Sequence, residues 1–383
     1  MTPTFQFDPV GLPQEAERAR RDIREFLERE LAEGRFEPHR CSWSSFDAEF
    51  SRRLGRAGFI GITWPTDFGG KAASTLTRFV ITEELLAAGT PCGAHWIADR
   101  QSGPQILRHG SERAKAEILP RIARGECFFG IGMSEPGAGS DLAAVRTRAA
   151  KVEGGWSITG QKIWTTQAHQ AHYMIVLART GDRGASRHEG LSQFIVDMKT
   201  DGVTPRAVTD LAGNHEFNEV FFDECFVPDD MVVGDVGGGW ALVTGELAFE
   251  RSGPDRFLSD FQLFRALVDR IGPDPDRGQA VRIGAMVAEL ASLRRMSVSV
   301  AGMLDRGEQP LIQAAMVKDL GTAFERSVPE IARELAAVEP SRRADDPFVE
   351  AMADTILRAP SFTLRGGTRE ILKSMIARGL GLR

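Results

Sequence analysis

The spacing of apolar residues changes twice along this chain. Up to about residue 126 they recur at helical period, one buried face at a time. The charged amphipathic stretch to Ala32 predicts a helix that opens with Pro13 at its first position and stops at Gly34. Further helices are predicted over 46–56, 76–88, 98–108 and 114–124, with Ser111 placed to start the last. Near Cys127 the pattern shortens to runs rich in Val, Ile, Phe, Trp and Thr, separated by Gly, Asp and Asn. Segments 156–159, 161–165, 173–178, 193–197 and 219–226 read as strands and predict a compact all-β region, a small barrel or sandwich. From about Trp240 the helical period returns over 240–271, 277–305, 310–338, 347–357 and 369–379, as in a bundle with short connections. The expected class is α+β: an N-terminal α-helical domain (1–126), a middle β-barrel-like domain (127–236) and a C-terminal helical bundle (237–383).

Composition narrows the partners. The chain has 383 residues, 42% hydrophobic and 26% charged, with both signs mixed and a net charge of -6. That balance argues against nucleic acid or an anionic membrane as the main partner. No long uninterrupted apolar run occurs, so no membrane span is expected. Residues Met1 to Phe5 lack a basic region followed by an apolar stretch, so no signal peptide is expected. Cys41, Cys92, Cys127 and Cys225 are far apart, which fits reduced thiols in the cytoplasm rather than a disulfide framework. His169 and His172 fall between strands with no third ligand nearby, and no metal site is expected.

Two segments carry candidate chemistry. The run from Cys127 to Asp141 packs Gly130, Gly132, Pro136, Gly137, Gly139, Ser134 and Ser140 into a short span. Gly and Pro break regular structure, so the run reads as a loop whose backbone can approach a phosphate or a polar ring edge. The segment Ile158-Thr159-Gly160-Gln161-Lys162-Ile163-Trp164-Thr165-Thr166 reads as a strand, a Gly turn and a second strand. A Trp face beside hydroxyls suits a planar heteroaromatic cofactor, although a strand-core aromatic gives the same pattern.

At these residues the chain resembles the acyl-CoA dehydrogenases, FAD enzymes that desaturate acyl thioesters. The likeness also covers Trp64-Pro65-Thr66-Asp67-Phe68-Gly69-Gly70, Phe217-Asn218-Glu219-Val220-Phe221-Phe222-Asp223, Val227-Pro228 and Gly367-Thr368-Arg369-Glu370-Ile371, in the family's order. It implies FAD lying between the middle and C-terminal domains. Ile131, Met133 and Ser134 would run along the isoalloxazine, Ser140 would lie near the pyrophosphate, Trp164 would cover one ring face and Thr166 would sit near N5. It implies an acyl-CoA substrate, β-hydride transfer to flavin N5, and electron-transferring flavoprotein as acceptor. The assembly implied is a homo- or hetero-tetramer, a dimer of dimers.

The same resemblance locates the base that removes the α proton. The commoner family position is a Glu in a Tyr-Glu-Gly-Thr setting before the last helix. Here that segment is Leu364-Arg365-Gly366-Gly367-Thr368, and Gly366 stands where the Glu would be. The other position lies in a Leu-x-x-Glu-Arg pattern on the first helix of the C-terminal domain, matched by Leu247-Ala248-Phe249-Glu250-Arg251. Glu250 is therefore assigned as the base, with Glu246 one turn earlier as its rival. Arg251, Gly366 and Gly367 are assigned to substrate binding, the last two through backbone. Two family features are missing: an Arg-x-x-Phe-Gly segment, and a Gly-Gly segment where 338–346 reads as a polar loop. A flavin-dependent oxidase or monooxygenase on the same fold, or a flavin-poor partner subunit of a heterotetramer, is compatible with the same residues.

Overall fold

The computed structural model describes residues 6–39, 41–181, 184 and 186–382, with 246–250 described by backbone alone. In chain order the helices are α1 (Gln14–Ala32), α2 (Ala48–Arg56), α3 (Thr75–Ala87), α4 (Gly93–Ile97), α5 (Gly103–His109) and α6 (Glu112–Ala123). Strands follow: β1 (Phe129–Gly132), β2 (Arg148–Val152), β3 (Gly155–Thr166), β4 (Tyr173–Arg179), β5 (Leu191–Asp197), β6 (Val203–Val208), β7 (Phe217–Pro228) and β8 (Val232–Val233). The chain then returns to helix: α7 (Gly239–Glu250), α8 (Phe261–Ile271), α9 (Arg277–Asp305), α10 (Leu311–Ala336), α11 (Pro347–Phe362) and α12 (Arg369–Gly379). The order helical, sheet, helical is the one expected.

Local chemistry explains the starts, the stops and the departures from expectation. Asp47, Ser74 and Ser111 cap their helices by accepting from Phe50, Thr77 and Ala114 backbone N–H, and Asp276 closes a full capping box with Gln279. Pro13 is the residue before α1, with extended ψ of 160°, rather than its first helical residue. The stretch expected as one helix over 240–271 is broken into α7, a short 3₁₀ turn at Pro254–Arg256, and α8. Pro254 forces Gly253 out of the helical region, so the helix cannot run through. The expected helix over 98–108 begins earlier, at α4, and passes through a π turn at Ala98–Ser102 into α5. Pro104 at the start of α5 lacks the N–H that the regular ladder needs there.

The described chain forms two compact units. The first comprises 46–73 and 92–247 and holds the sheet, ordered β6-β7-β3-β2-β4-β5-β8, with β1 paired parallel to β4. β4 and β5 are buried almost end to end because both of their faces are covered. Gly160 is no turn. Its φ of +151° sits inside the single long strand β3, where an added Cβ would strike Thr147, so the strand bends without ending. Four strands escaped the pattern reading. β2 and β6 are mostly polar or exposed, β8 has two residues, and β1 is Gly-rich and lies within the run expected to be pure loop. Trp64 is buried in this unit, and an added Cβ on Gly61 or Gly103 would strike its ring.

The second unit comprises 1–45, 74–91 and 248–383 and is helical. Ala16 of α1, Leu76, Phe79 and Val80 of α3, and Val298 and Ala301 of α9 share one apolar cluster. Charged groups tie the same three helices at its edge: Arg20 reaches Glu84 at 2.7 Å and Arg294 reaches Glu83 at 2.6 Å. Among the described residues no helix is long and apolar enough to cross a membrane.

Candidate functional site

In the sheet unit the site is built on a bulge. β3 pairs with β7 at Lys162↔Val220 and Thr165↔Asn218, so Ile163 and Trp164 together face the single residue Glu219. The extra residue throws Trp164 into the left-handed region, φ +61°. A bulky side chain rarely adopts that backbone, which costs on the order of 1–3 kcal/mol and persists only where surroundings impose it. The result is an indole 57% exposed, steadied by one edge-on contact with Phe217. Asn218 lies at the edge of the bulge. Fully buried, it donates to the Thr165 carbonyl at 3.2 Å, and its Oδ1 lies 3.2 Å from His169 and 2.9 Å from His215, whose rings stack.

The Gly-rich segment is held against this bulge. Ile163 N–H donates to the Ser134 carbonyl at 3.0 Å, and the Lys162 ammonium donates to the Met133 carbonyl at 3.1 Å. Lys162 is 0% exposed and pairs with Glu135 at 2.8 Å. Glu135 also accepts from Arg146 N–H at 2.7 Å, Thr147 N–H at 2.9 Å and the Thr147 hydroxyl at 2.6 Å. Burial works to raise the Glu135 carboxyl, but the Lys162 charge and these hydrogen bonds outweigh it and hold it below the usual carboxylate range. Burial pushes the Lys162 ammonium down to about 8, with Glu135 opposing. Beyond Glu135 the loop opens: a Cβ added at Gly137 or Gly139 would meet nothing within 4 Å. An exposed indole beside bare, fixed backbone fits a flat polar ring with a phosphate-bearing tail.

In the helical unit the second group of residues forms around a turn. Gly366 and Gly367 both have positive φ, +65° and +100°. Buried cations hold their carbonyls. Arg251 Nε donates to the Gly366 oxygen at 3.1 Å, and Lys318 Nζ donates to the Gly367 oxygen at 2.7 Å. In a trans peptide the C=O and the following N–H are antiparallel. Tying these two oxygens back therefore turns the N–H groups of Gly367 and Thr368 the other way, as donors for an anionic oxygen.

The structure thus brings Ser134, Met133 and Trp164 together through Lys162 and Ile163, with Thr166 ending the same strand and Ile131 half-buried on β1. It also brings Arg251 together with Gly366 and Gly367. Ser140 is exposed at the far end of the loop, next to Asp141, which pairs with Arg187. Glu250 closes α7, and its side chain, like that of Glu246, lies outside the described residues. Glu135, Lys162, Asn218 and Lys318 were missed by sequence reasoning. A Lys in a strand and a Glu in a loop look like surface residues until burial is known.

Residues 13–126, 130–225 and 275–381 match the family models described as acyl-CoA dehydrogenase N-terminal, middle and C-terminal domain. The chain is 34% identical over 334 residues to the acyl-CoA dehydrogenase FadE34 of Mycobacterium tuberculosis, covering 86% of this chain and 45% of that relative. It therefore spans less than half the length of that protein. It is 33% identical over 340 residues to the acyl-CoA dehydrogenase IpdE1 of the same organism, covering 87% of each. A solved structure described as the Tcur3481-Tcur3483 steroid ACAD superposes with a TM-score of 0.84 at 26% identity, covering 98% of this chain and 100% of its own.

Proposed function

The chain belongs to the acyl-CoA dehydrogenase family, a family of oxidoreductases, and on that premise we propose that it catalyses FAD-dependent α,β-dehydrogenation of an acyl-CoA. The observation that carries the reading is the turn at Gly366–Gly367. Its oxygens are tied back by Arg251 and Lys318, which leaves outward N–H groups suited to the charge that develops on a thioester carbonyl. Glu250 at the end of α7 is our candidate base for the α proton. Gly366, in the family's other base position, has no side chain and leaves that role open.

Ile131, Met133, Ser134, Ser140, Trp164 and Thr166 are proposed to hold FAD. The exposed indole would cover a ring face, and the open backbone beside Gly137 and Gly139 would accept phosphate. Bound FAD would supply the hydride acceptor for the β carbon. The chain's own work is to orient the thioester at the 366–368 turn, take the α proton on Glu250 and keep the 133–135 backbone fixed through Lys162. The acyl group is proposed to be bulky, in keeping with the steroid ACAD named above. Electron-transferring flavoprotein is the proposed acceptor. The proposed assembly is a tetramer, with the missing Arg-x-x-Phe-Gly and Gly-Gly segments pointing to a second type of subunit. The domains are proposed to divide at 1–126, 127–236 and 237–383.

The test is anaerobic titration of the purified protein with straight-chain, branched and ring-bearing acyl-CoAs, alone and with any co-purifying chain. Bleaching of flavin absorbance by one class supports the proposal. A protein that binds FAD but is bleached by none of them sinks it. Glu250→Gln should lower turnover by about 100-fold or more, and full turnover in that variant would remove Glu250 as the base.

A further inference from the structure

Two consecutive glycines with positive φ do not hold a turn by themselves, because Gly gives up the most conformational freedom on ordering. Something outside the turn must fix it. Its far end is held by Arg369, at the start of α12, whose Nε lies 2.7 Å from Asp319 of α10. Its near end is Arg365, which stands where the family resemblance has a Tyr. The Arg365 guanidinium points inward, over Trp43 at 4.0 Å and Phe362 at 5.0 Å from the ring centres. Its Nη2 lies 2.8 Å from the Ser259 hydroxyl, 3.1 Å from the Asp255 carbonyl and 3.3 Å from Glu325 Oε2. Glu325 is itself 0% exposed and accepts from Ser259 N–H at 2.8 Å, while Trp43 donates to the Ser259 hydroxyl at 3.1 Å. A planar cation stacked on aromatic faces and forked onto a buried carboxylate has one low-energy pose.

We propose that Arg365 is a positioning residue: clasped by Glu325 and Ser259, it sets the backbone of Gly366–Gly367 so that the outward N–H groups meet the thioester oxygen. The inference rests on the proposed function for what the turn holds, but not for how the turn is held. Glu325, on α10, is the second member of the device. α10 also carries Lys318, which binds the Gly367 carbonyl, so one helix sets both ends of the glycine pair.

The experiment compares wild type with Arg365→Met, Arg365→Lys and Glu325→Gln in the flavin-loaded protein, by steady-state kinetics and by amide hydrogen exchange of peptides covering 360–372. Arg365→Met should lower kcat by roughly 100-fold, change KM for the acyl-CoA by less than about threefold and raise exchange at 366–368 only. Arg365→Lys should recover part of the loss, and Glu325→Gln should fall between the two. If all three keep kcat and protection within about twofold of wild type, the inference is overturned. It is equally overturned if protection is lost throughout α10 and α11, which marks a merely structural residue. Should Arg365→Met not fold, the milder two variants decide by the same criteria. A wild type that desaturates no acyl-CoA refutes the proposed function, and exchange at 366–368 still decides whether Arg365 holds the turn.

Discussion

The 134–141 loop of the sheet unit and the 364–368 turn of the helical unit both present bare backbone, but they are fixed by opposite means. In the first, one carboxylate, Glu135, ties the loop to the backbone N–H groups of Arg146 and Thr147 and is neutralised by Lys162 of β3. In the second, two cations gather backbone carbonyls. The first loop is anchored through a side chain of its own and the second through its backbone oxygens, so in the second the buried charges orient the peptide groups themselves.

The largest expected effect that could break this comparison comes from removing an organiser. Glu135→Ala leaves Lys162 buried without its ion-pair partner and should lower stability by about 3–5 kcal/mol, measured by denaturant unfolding. A loss below about 1 kcal/mol would mean that the loop is not held by this pair.

Acid sharpens the comparison, because the two units respond with opposite sign. His95, fully buried and 2.7 Å from the Ser51 hydroxyl, is pushed down to about 4 by burial, against a weaker pull from Asp99. Between about pH 6.5 and 4 the unfolded chain takes up a proton there that the folded chain refuses, so stability falls by about 3 kcal/mol across that window. The depressed Glu135 carboxyl adds to the loss as pH falls through its folded value. In the helical unit, burial raises the Asp260 carboxyl well above the carboxylate range, with Glu325 adding to it, and Glu325 is raised by burial against the pull of Arg365. There the folded state binds the extra proton, and stability is lost as pH rises. Hydrogen exchange at pH 7 and pH 5 should show protection falling in α4 while α8 and α10 hold or gain. His95→Leu should flatten the first trend.

A smaller effect is expected at Gly367→Ala. The new Cβ must adopt φ +100° about 3.1 Å from Arg251 Nη2, which should cost about 1–3 kcal/mol and lower turnover more than FAD content. The smallest is Trp164→Gly. Releasing the left-handed backbone offsets the lost contact with Phe217, so the melting midpoint should move by no more than the equivalent of about 1 kcal/mol. FAD retention on gel filtration should nonetheless drop. Unchanged retention would remove the indole from the cofactor site.

Much of the fold was legible before any coordinates. Helices α10 and α12 lie where the apolar period places them, because an amphipathic repeat over several turns has few other ways to bury its face. Strands β2, β6 and β8 were not legible, since their short or polar sequences are recruited by pairing with β3, β5 and β7 rather than by any pattern of their own. The site divided in the same way. Trp164, Ser134 and the Gly366–Gly367 pair stand out in the sequence through rare residue types at close spacing. The residues that hold them do not.

By itself, then, the sequence determined the order of helical and sheet segments, the family, and which loops expose backbone, because these depend on local period and on Gly, Pro and Trp. Only the tertiary structure decided that Lys162, Lys318, Asn218 and Arg365 are interior residues with fixed partners. The physical reason is that a charged or amide side chain carries no mark of burial. Whether it faces water or a backbone oxygen depends on what lies across from it, and that neighbour is 29 residues away for Lys162 and 49 for Lys318.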